Sequence, residues 1–267
     1  MRRARLLTRL AKKILAGFGA YLGLAALVVL FSGELGAQNW RTASRAPAGF
    51  APDPATTPEA VVQVYAARSI SWQGLFAVHT WIAVKPAGAA HFTVHEVFGY
   101  QLDRAGTAMR STDRAPDGRW YGSMPQVLAD VRGPGVDALI TRLNAAVAAY
   151  PYAQTYHAWP GPNSNTFTAD VLRAVPELRV DLPVTAIGKD FLGWVPVAFT
   201  PSHTGTQLNL LGVAGVLIGW EEGIEFNVIG LSFGVNPKRL SLKLPLIGNF
   251  GDRTNAKPRR IEAEYSR

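Results

Sequence analysis

The hydroxyl of Ser164 and the imidazole of His79 are the side chains in this sequence whose types and settings best fit covalent chemistry. Ser164 lies in the stretch Trp159–Phe167, where a Trp-Pro-Gly-Pro run leads into a predicted first helical turn. A serine there gains from the positive end of the helix dipole, and free backbone N–H groups could form an oxyanion hole. The hydroxyl also needs a base, which is usually histidine. The chain contains no cysteine, so a covalent nucleophile would have to be a hydroxyl.

The same stretch also fits a purely structural role. Serine and asparagine are preferred N-cap residues, and Asn163, Ser164 and Asn165 could simply satisfy that role. His79, next to Trp81 on a predicted strand, could equally be a satisfied structural histidine. The spacing therefore leaves an active site and a well-capped helix both open.

Two predicted strands position His79. The segments Leu75–Lys85 and His91–Tyr100 are rich in β-branched and aromatic residues and flank a five-residue loop. If Trp81 lies opposite His95 in a hairpin, His79 and His95 share a face and His95 could orient His79, although a one-residue slip would destroy this arrangement. Because there is neither cysteine nor the helical HExxH spacing, we expect no metal and no cofactor.

Other polar and aromatic side chains could line a cleft beside Ser164. Lys189 in the turn Thr185–Asp190 and Arg173 on the predicted helix after Asn165 could bind an acidic ligand. The phosphate-loop pattern GxxxxGK[ST] is absent, however, and the alternative is that Lys189 is a salt-bridged lysine in a turn. The predicted ligand-binding residues are Trp81, Tyr156, Trp159, Asn165, Arg173 and Lys189.

The composition indicates a packed core and a membrane segment. The hydrophobic fraction of 48% and the charged fraction of 17% are far from those of disordered chains. The formal charge of +8 comes largely from the termini, so nucleic-acid binding is not predicted.

The uncharged run Ile14–Phe31 would cover about 27 Å as a helix, nearly the thickness of the hydrocarbon core of a bilayer. The basic residues before it predict a cytoplasmic N-terminus, although cleavage near Leu35-Gly36-Ala37 is the alternative.

The remaining chain predicts an α+β domain. Apolar periodicity favours helices over Pro134–Tyr150 and Thr166–Val175. Short apolar runs between Leu208 and Leu246 alternate with glycine and indicate an antiparallel sheet with a hairpin turn at Glu221-Glu222-Gly223, the alternative being a second membrane pass. The predicted organisation is a basic N-terminus at 1–13, a transmembrane helix at 14–32, a linker at 33–58, an extracytoplasmic domain at 59–251 and a polar tail at 252–267.

Several sequence blocks carry a family resemblance. The blocks are Phe76–Lys85, Tyr150–Tyr152, Trp159–Phe167, Val175–Leu178, Thr185–Asp190 and Gly230–Gly234. Together they resemble the bacterial domain-of-unknown-function family numbered 3750, over roughly Arg68 to Gly251. That resemblance implies an uncharacterised membrane protein and supports the anchor, but it implies no reaction.

A more distant likeness is to circularly permuted NlpC-like peptidases and lecithin retinol acyltransferase relatives, in which a strand histidine precedes an Asn-Cys pair that opens a helix. His79 stands in the first place and Asn163–Phe167 resembles the second, with Ser164 where the cysteine would be. The likeness implies a permuted papain-like antiparallel-sheet domain with packed helices, in which His79 is the base, His95 orients it and Asn163 adjoins the nucleophile. A serine hydroxyl is harder to ionise than a thiol, so a scaffold whose catalysis has lapsed is the alternative.

The sequence therefore predicts a single-pass protein of the bacterial inner membrane whose main domain is periplasmic. The expected activity is that of a serine-dependent amidase, esterase or acyltransferase acting on cell-wall peptides or lipids. The alternative is a non-catalytic envelope protein that binds a ligand or partner on the same scaffold. The oligomeric state is not predicted.

Overall fold

A computed structural model describes residues 2–36, 39–252 and 257–262 of the protein. The helices are α1 (Arg2–Phe31), α2 (Gly99–Ala105), α3 (Val136–Ala148) and α4 (Ser164–Ala174). The strands are β1 (Val61–Arg68), β2 (Val78–Lys85), β3 (Thr93–Val97), β4 (Met109–Asp113), β5 (Gln126–Arg132), β6 (Val197–Phe199), β7 (Gly205–Leu210), β8 (Ala214–Gly219), β9 (Gly223–Val228), β10 (Leu231–Asn236), β11 (Ser241–Leu244), β12 (Gly248–Phe250) and β13 (Arg259–Arg260). Ala37 of the alternative cleavage site and residues 253–256 and 263–267 of the tail lie outside the described residues.

The first sheet, called the N-terminal sheet below, has the order β13-β5-β1-β2-β3-β4 and is antiparallel except for the β13–β5 pair. Its central strands β1 and β2 are buried along their whole length because both faces are covered. On one face, α3 and α4 bury Ile82, Leu143 and Phe167. On the other, Tyr65 and Trp81 stack with ring centroids 5.4 Å apart. Side chains at successive positions of β2 therefore enter two different cores.

The predicted helices and the strand that carries His79 are confirmed. The apolar stripe of α3 that periodicity predicts is buried along the helix. Helix α4 begins at Ser164, two residues before the predicted start, since Asn163 caps it there. Strand β2 begins only at Val78, because residues Ser71–Leu75 form a 3-10 turn. The segment between α2 and β5 contains strand β4, and the predicted tail contributes β13 to the N-terminal sheet.

The second sheet, called the C-terminal sheet below, is an antiparallel meander of β6 to β12 in sequence order. This confirms the predicted sheet of short strands, and β8 and β9 pair across the predicted turn at Glu221-Glu222-Gly223. Alternation in β9 buries Glu225 and Asn227 and exposes Ile224, Phe226 and Val228. The buried face of this sheet is therefore polar, the reverse of an ordinary one-sided antiparallel sheet.

The chain thus has a mixed α+β fold with an N-terminal apolar helix and antiparallel sheets. Within the described residues, Thr8–Phe31 is long and apolar enough to cross a membrane, judged by length and composition.

Candidate functional site

The start of α4 is held by the side chain of Asn163. Its Oδ1 accepts hydrogen bonds from the backbone N–H groups of Asn165 (2.9 Å) and Thr166 (3.1 Å), and Thr166 Oγ1 accepts from the Asn163 N–H (3.1 Å). The Nδ2 group donates to the carbonyls of Ala158 and Ile187, each at 3.0 Å. These bonds complete a reciprocal capping box. The capping role that the sequence offers as one interpretation of this stretch is therefore confirmed.

Asn165 and Thr166 attach this helix start to its surroundings. Asn165 Nδ2 donates to the carbonyls of Val78 in β2 (3.0 Å) and Ile187 (2.8 Å), and Thr166 Oγ1 donates to the Gly188 carbonyl (2.7 Å). The first turn of α4 is thus fixed both to the strand that carries His79 and to the 185–190 loop. Because its amide is used in these bonds, Asn165 has a positioning role.

Ser164 is the first residue of α4, 5% exposed, and its side chain lines a cavity. Its hydroxyl makes no side-chain hydrogen bond within the described part of the chain, so its lone pairs and proton are uncommitted. Fewer backbone N–H groups than expected are free to form an oxyanion hole, because Asn163 Oδ1 already accepts hydrogen bonds from the N–H groups of Asn165 and Thr166. The Ser164 N–H remains as the first-turn donor with no bonded partner among the described residues.

His79 is buried in a stack of aromatic rings. Its imidazole lies 3.7 Å from the Trp120 ring, centroid to centroid and nearly parallel, and 5.5 Å from that of Phe98. The Nε2 atom is buried, lies 3.7 Å from Glu96 Oε2 and has no hydrogen-bond partner among the described residues. Burial lowers the pKa of His79, and the neighbouring Glu96 offsets only part of that effect. The ring is therefore neutral at pH 7.

The predicted partnership of His79 and His95 is wrong. Strands β2 and β3 pair with Ile82 opposite His95, one residue away from the predicted register. His95 accordingly lies on the opposite face of the N-terminal sheet from His79, with its Nδ1 atom 2.8 Å from Ser111 Oγ. Since a one-residue slip moves every side chain to the other face, His95 does not orient His79.

The same register places Glu96 behind His79, a position that the sequence did not predict. Glu96 is 2% exposed, and Arg114 donates a 2.8 Å hydrogen bond to its Oε2. Burial alone would raise the pKa of Glu96, but the adjacent His79 imidazole and the charge of Arg114 outweigh it, so the net pKa is lowered. An ionised carboxylate therefore lies beside the imidazole. Its sequence signal is the position next to His95, which a one-residue change of register brings onto the His79 face.

His79 and Ser164 line one cavity of about 590 Å³, but no hydrogen bond joins them. His79 lies on the Trp81 face of the sheet, whereas α4 packs on the Thr80 and Ile82 face. The predicted ligand residue Tyr156 also lines it, packing against Gly99 at the position that a Cβ would occupy. Aromatic and cationic side chains complete the wall. They are Phe98, Tyr100, Trp120, Arg45, Arg104 and Arg110. The cavity thus combines apolar ring surfaces with positive charge.

The remaining predicted ligand residues lie away from this cavity. Trp81 is fully buried and donates to the Pro116 carbonyl at 2.7 Å, and Trp159 packs on Gly230 of the C-terminal sheet. Arg173 donates to Gln207 Oε1 at 2.7 Å, and Lys189 forms buried ion pairs with Asp190 and Glu225. Arg173 therefore links α4 to the C-terminal sheet, and Lys189 and Trp159 link the loops on either side of α4 to it. The structure confirms the salt-bridged alternative for Lys189.

Metal binding finds no support in the geometry. Across the residues that the structure describes, no three His, Asp or Glu side chains are grouped so that they could hold a metal ion. The cavity is lined by a single histidine and by arginines, which repel cations.

Comparison with known proteins finds one matching family model. Residues 59–191 match the family model described as a protein of unknown function, DUF3750. This match supports the predicted family for that part of the chain. No curated protein and no solved structure matches the chain. The DUF3750 region contains His79, Glu96 and Ser164, and it ends before the C-terminal sheet begins.

Proposed function

We propose that the protein is a membrane-anchored envelope hydrolase or acyltransferase that uses Ser164 as nucleophile and His79 as base. The observation that carries the proposal is the shared cavity of Ser164 and His79, with the ionised Glu96 buried behind the imidazole. In chain order, a strand histidine followed by a nucleophile at a helix start resembles the permuted NlpC-like order. On this proposal Glu96 orients His79, the role predicted from the sequence for His95.

The roles follow from the two nitrogens of His79. Nε2 faces Glu96, so the proposal assigns Nδ1 as the acceptor of the Ser164 proton as Oγ bonds to an amide or ester carbonyl carbon. This transfer requires the two side chains to approach each other around the end of β2, because they start from opposite faces of the sheet. Glu96 then stabilises the imidazolium, and the Ser164 N–H donates to the oxyanion. Collapse of the tetrahedral intermediate breaks the bond to the leaving group, which takes the proton from His79. Water or a second alcohol then attacks the acyl-serine, with His79 again accepting the proton.

The wall of the cavity favours an acyl substrate that bears a negative group. Arg45, Arg104 and Arg110 supply positive charge, and the stacked rings of Phe98 and Trp120 supply apolar surface. Lipids with anionic headgroups and cell-wall peptides with free carboxylates both have this chemistry. The apolar span of α1 and the basic residues before it support a single-pass position in the bacterial inner membrane, with the main domain in the periplasm.

A serine-directed fluorophosphonate probe tests the proposal on the full-length protein in detergent. We expect covalent labelling of the wild type, no labelling of Ser164→Ala, and slower labelling of His79→Gln and Glu96→Gln. Ser69 lines the same cavity and provides the matched control, so Ser69→Ala should label like the wild type. Labelling that persists in Ser164→Ala, or that is absent from the folded wild type, would contradict the assignment of Ser164.

A non-catalytic binding protein is the second candidate, and the environment of His79 favours it. The imidazole is stacked on Trp120 beside Phe98, and no hydrogen bond joins it to Ser164. On this reading the cavity holds an anionic ligand through its arginines without reaction. An unlabelled wild type whose melting temperature rises with an anionic lipid, equally in Ser164→Ala, would support binding over catalysis.

A further inference from the structure

The C-terminal sheet turns an apolar face outward. Its pairing aligns one outward residue from each strand in a continuous row: Phe199, Thr206, Ile218, Ile224, Val235, Leu242 and Phe250. The apolar members of this row range from 37% exposed at Ile224 to 64% exposed at Phe199. In the adjacent row, Phe226 and Phe233 stack with ring centroids 5.7 Å apart. A contiguous exposed patch of this kind marks an interaction surface.

The opposite face of the same sheet holds its charges. Glu225 and Lys243, the ionisable residues within the described strands β6 to β12, both point inward. Lys243 pairs with Asp181 at 2.6 Å, and Glu225 pairs with both Lys243 and Lys189. The outward face is therefore free of charge along these strands. In water the stable arrangement would be the reverse, with apolar residues inside.

The contacts of helix α1 with the domain indicate what covers this face. The Tyr21 hydroxyl donates a 2.8 Å hydrogen bond to the carbonyl of Pro245, which lies between β11 and the edge strand β12 of the C-terminal sheet. Ala25 and Val29, one and two turns further along the helix, are buried at 3% and 2% exposure. Helix α1 therefore packs along the domain from Tyr21 towards its end at Phe31.

The length of this contact can be compared with the thickness of a bilayer. Ten residues separate Tyr21 from Phe31, which is about 15 Å of helix at 1.5 Å per residue. The hydrocarbon core is about 30 Å thick, so one leaflet contributes about 15 Å. If α1 crosses the membrane, the chain around Pro245 reaches about the middle of the bilayer. The part of the domain beside α1 is then at the depth of the acyl chains, where an uncharged outward surface is required.

We infer that the outward face of the C-terminal sheet lies in the leaflet from which α1 emerges and is covered by lipid acyl chains. The inference extends the membrane attachment of the protein from one helix to a helix and a sheet face. It does not depend on the chemistry of Ser164.

Spin labels on single cysteines test this placement, since the chain contains no cysteine of its own. The full-length protein is reconstituted in vesicles of phosphatidylethanolamine and phosphatidylglycerol, with a label at Phe226→Cys on the outward face or at Asp103→Cys on exposed α2. We expect the label at position 226 to collide with oxygen and to lose collisions with a water-soluble nickel chelate. The label at position 103 should show the opposite preference.

Two outcomes would overturn the inference. Equal access of the nickel chelate to both positions would place the sheet face in water. Protection of position 226 from both oxygen and nickel would mean that protein covers it, and a dimer mass in detergent would identify a second copy as the cover. Leu242→Cys, which lies in the outward row on another strand, repeats the measurement if Phe226→Cys folds poorly.

Discussion

Replacing Asn163 with alanine should destabilise the fold far more than replacing the adjacent Ser164. The Asn163 side chain makes four hydrogen bonds of 3.1 Å or shorter that fix the helix start, two as acceptor and two as donor. At about 1 kcal/mol net for each bond, their loss amounts to about 4 kcal/mol. A domain of this size loses roughly 2–4 °C in melting temperature per kcal/mol, so Asn163→Ala should melt about 8–16 °C lower. Ser164→Ala removes a hydroxyl that has no bonded side-chain partner, and should change stability by about 0.5 kcal/mol or less.

The assay is thermal unfolding of the full-length protein in detergent, followed by far-ultraviolet circular dichroism. Asn163→Asp is the intermediate variant, because its carboxylate keeps the two acceptor bonds of the cap and loses the two donor bonds to Ala158 and Ile187. Its melting temperature should lie between those of the wild type and Asn163→Ala. A difference of less than 2 °C between the melting temperatures of Asn163→Ala and Ser164→Ala, worth about 1 kcal/mol or less, would refute the role of the Asn163 side chain in fixing the helix start.

Two further predictions concern buried charge. Glu225→Gln should lower the free energy of unfolding by about 1.5–3 kcal/mol, because it removes the carboxylate that two buried lysines share and leaves each with one carboxylate partner, Asp190 or Asp181. The more exposed pair of Arg142 provides the control, and denaturant unfolding of Arg142→Gln should show a loss of about 1 kcal/mol or less; equal losses would contradict the prediction. Stability should also fall as the pH drops below 6.5, since burial lowers the pKa of His79 and the unfolded chain therefore takes up the proton first. His79→Gln should flatten this slope between pH 7 and pH 5, and an unchanged slope would exclude His79 as its source.

The helices and the His79 strand were predictable because one periodic signal dominates each. Helix α3 alternates buried and exposed positions at helical spacing, and β2 is a run of β-branched and aromatic residues ended by a proline. The pairing of β2 with β3 was not predictable, because apolar residues occupy both faces of the two strands. Trp81 is buried on one face and Ile82 on the other, so neither register exposes an apolar side chain. The predicted register was wrong by one residue, so it placed His95 beside His79 where the structure has Glu96.

The orientation of the C-terminal sheet was unpredictable for a different reason. Alternation in a segment such as Gly223–Val228 shows that Ile224 and Phe226 share one face and Glu225 the other, but it does not show which face is buried. The usual assumption buries the apolar face. Here Lys189 and Lys243 lie where they neutralise Glu225, so the polar face can be buried. Those partners come from distant segments, and alternation within one strand carries no information about them.

The position of the cavity relative to α1 bears on the substrate. The 3-10 turn Ser71–Leu75 contacts α1, and Gln73 from that turn lines the cavity that holds Ser164. Trp40, which follows the end of α1, lines the same cavity. If the end of α1 lies at the membrane surface, the cavity is close to the headgroups, so a lipid could present its ester there without leaving the bilayer. Of the two substrate classes that fit the arginines and aromatic rings, this geometry favours an anionic lipid over a cell-wall peptide. Vesicles of phosphatidylglycerol should then slow fluorophosphonate labelling of Ser164 more than soluble wall peptides do, and the reverse order would favour the peptides.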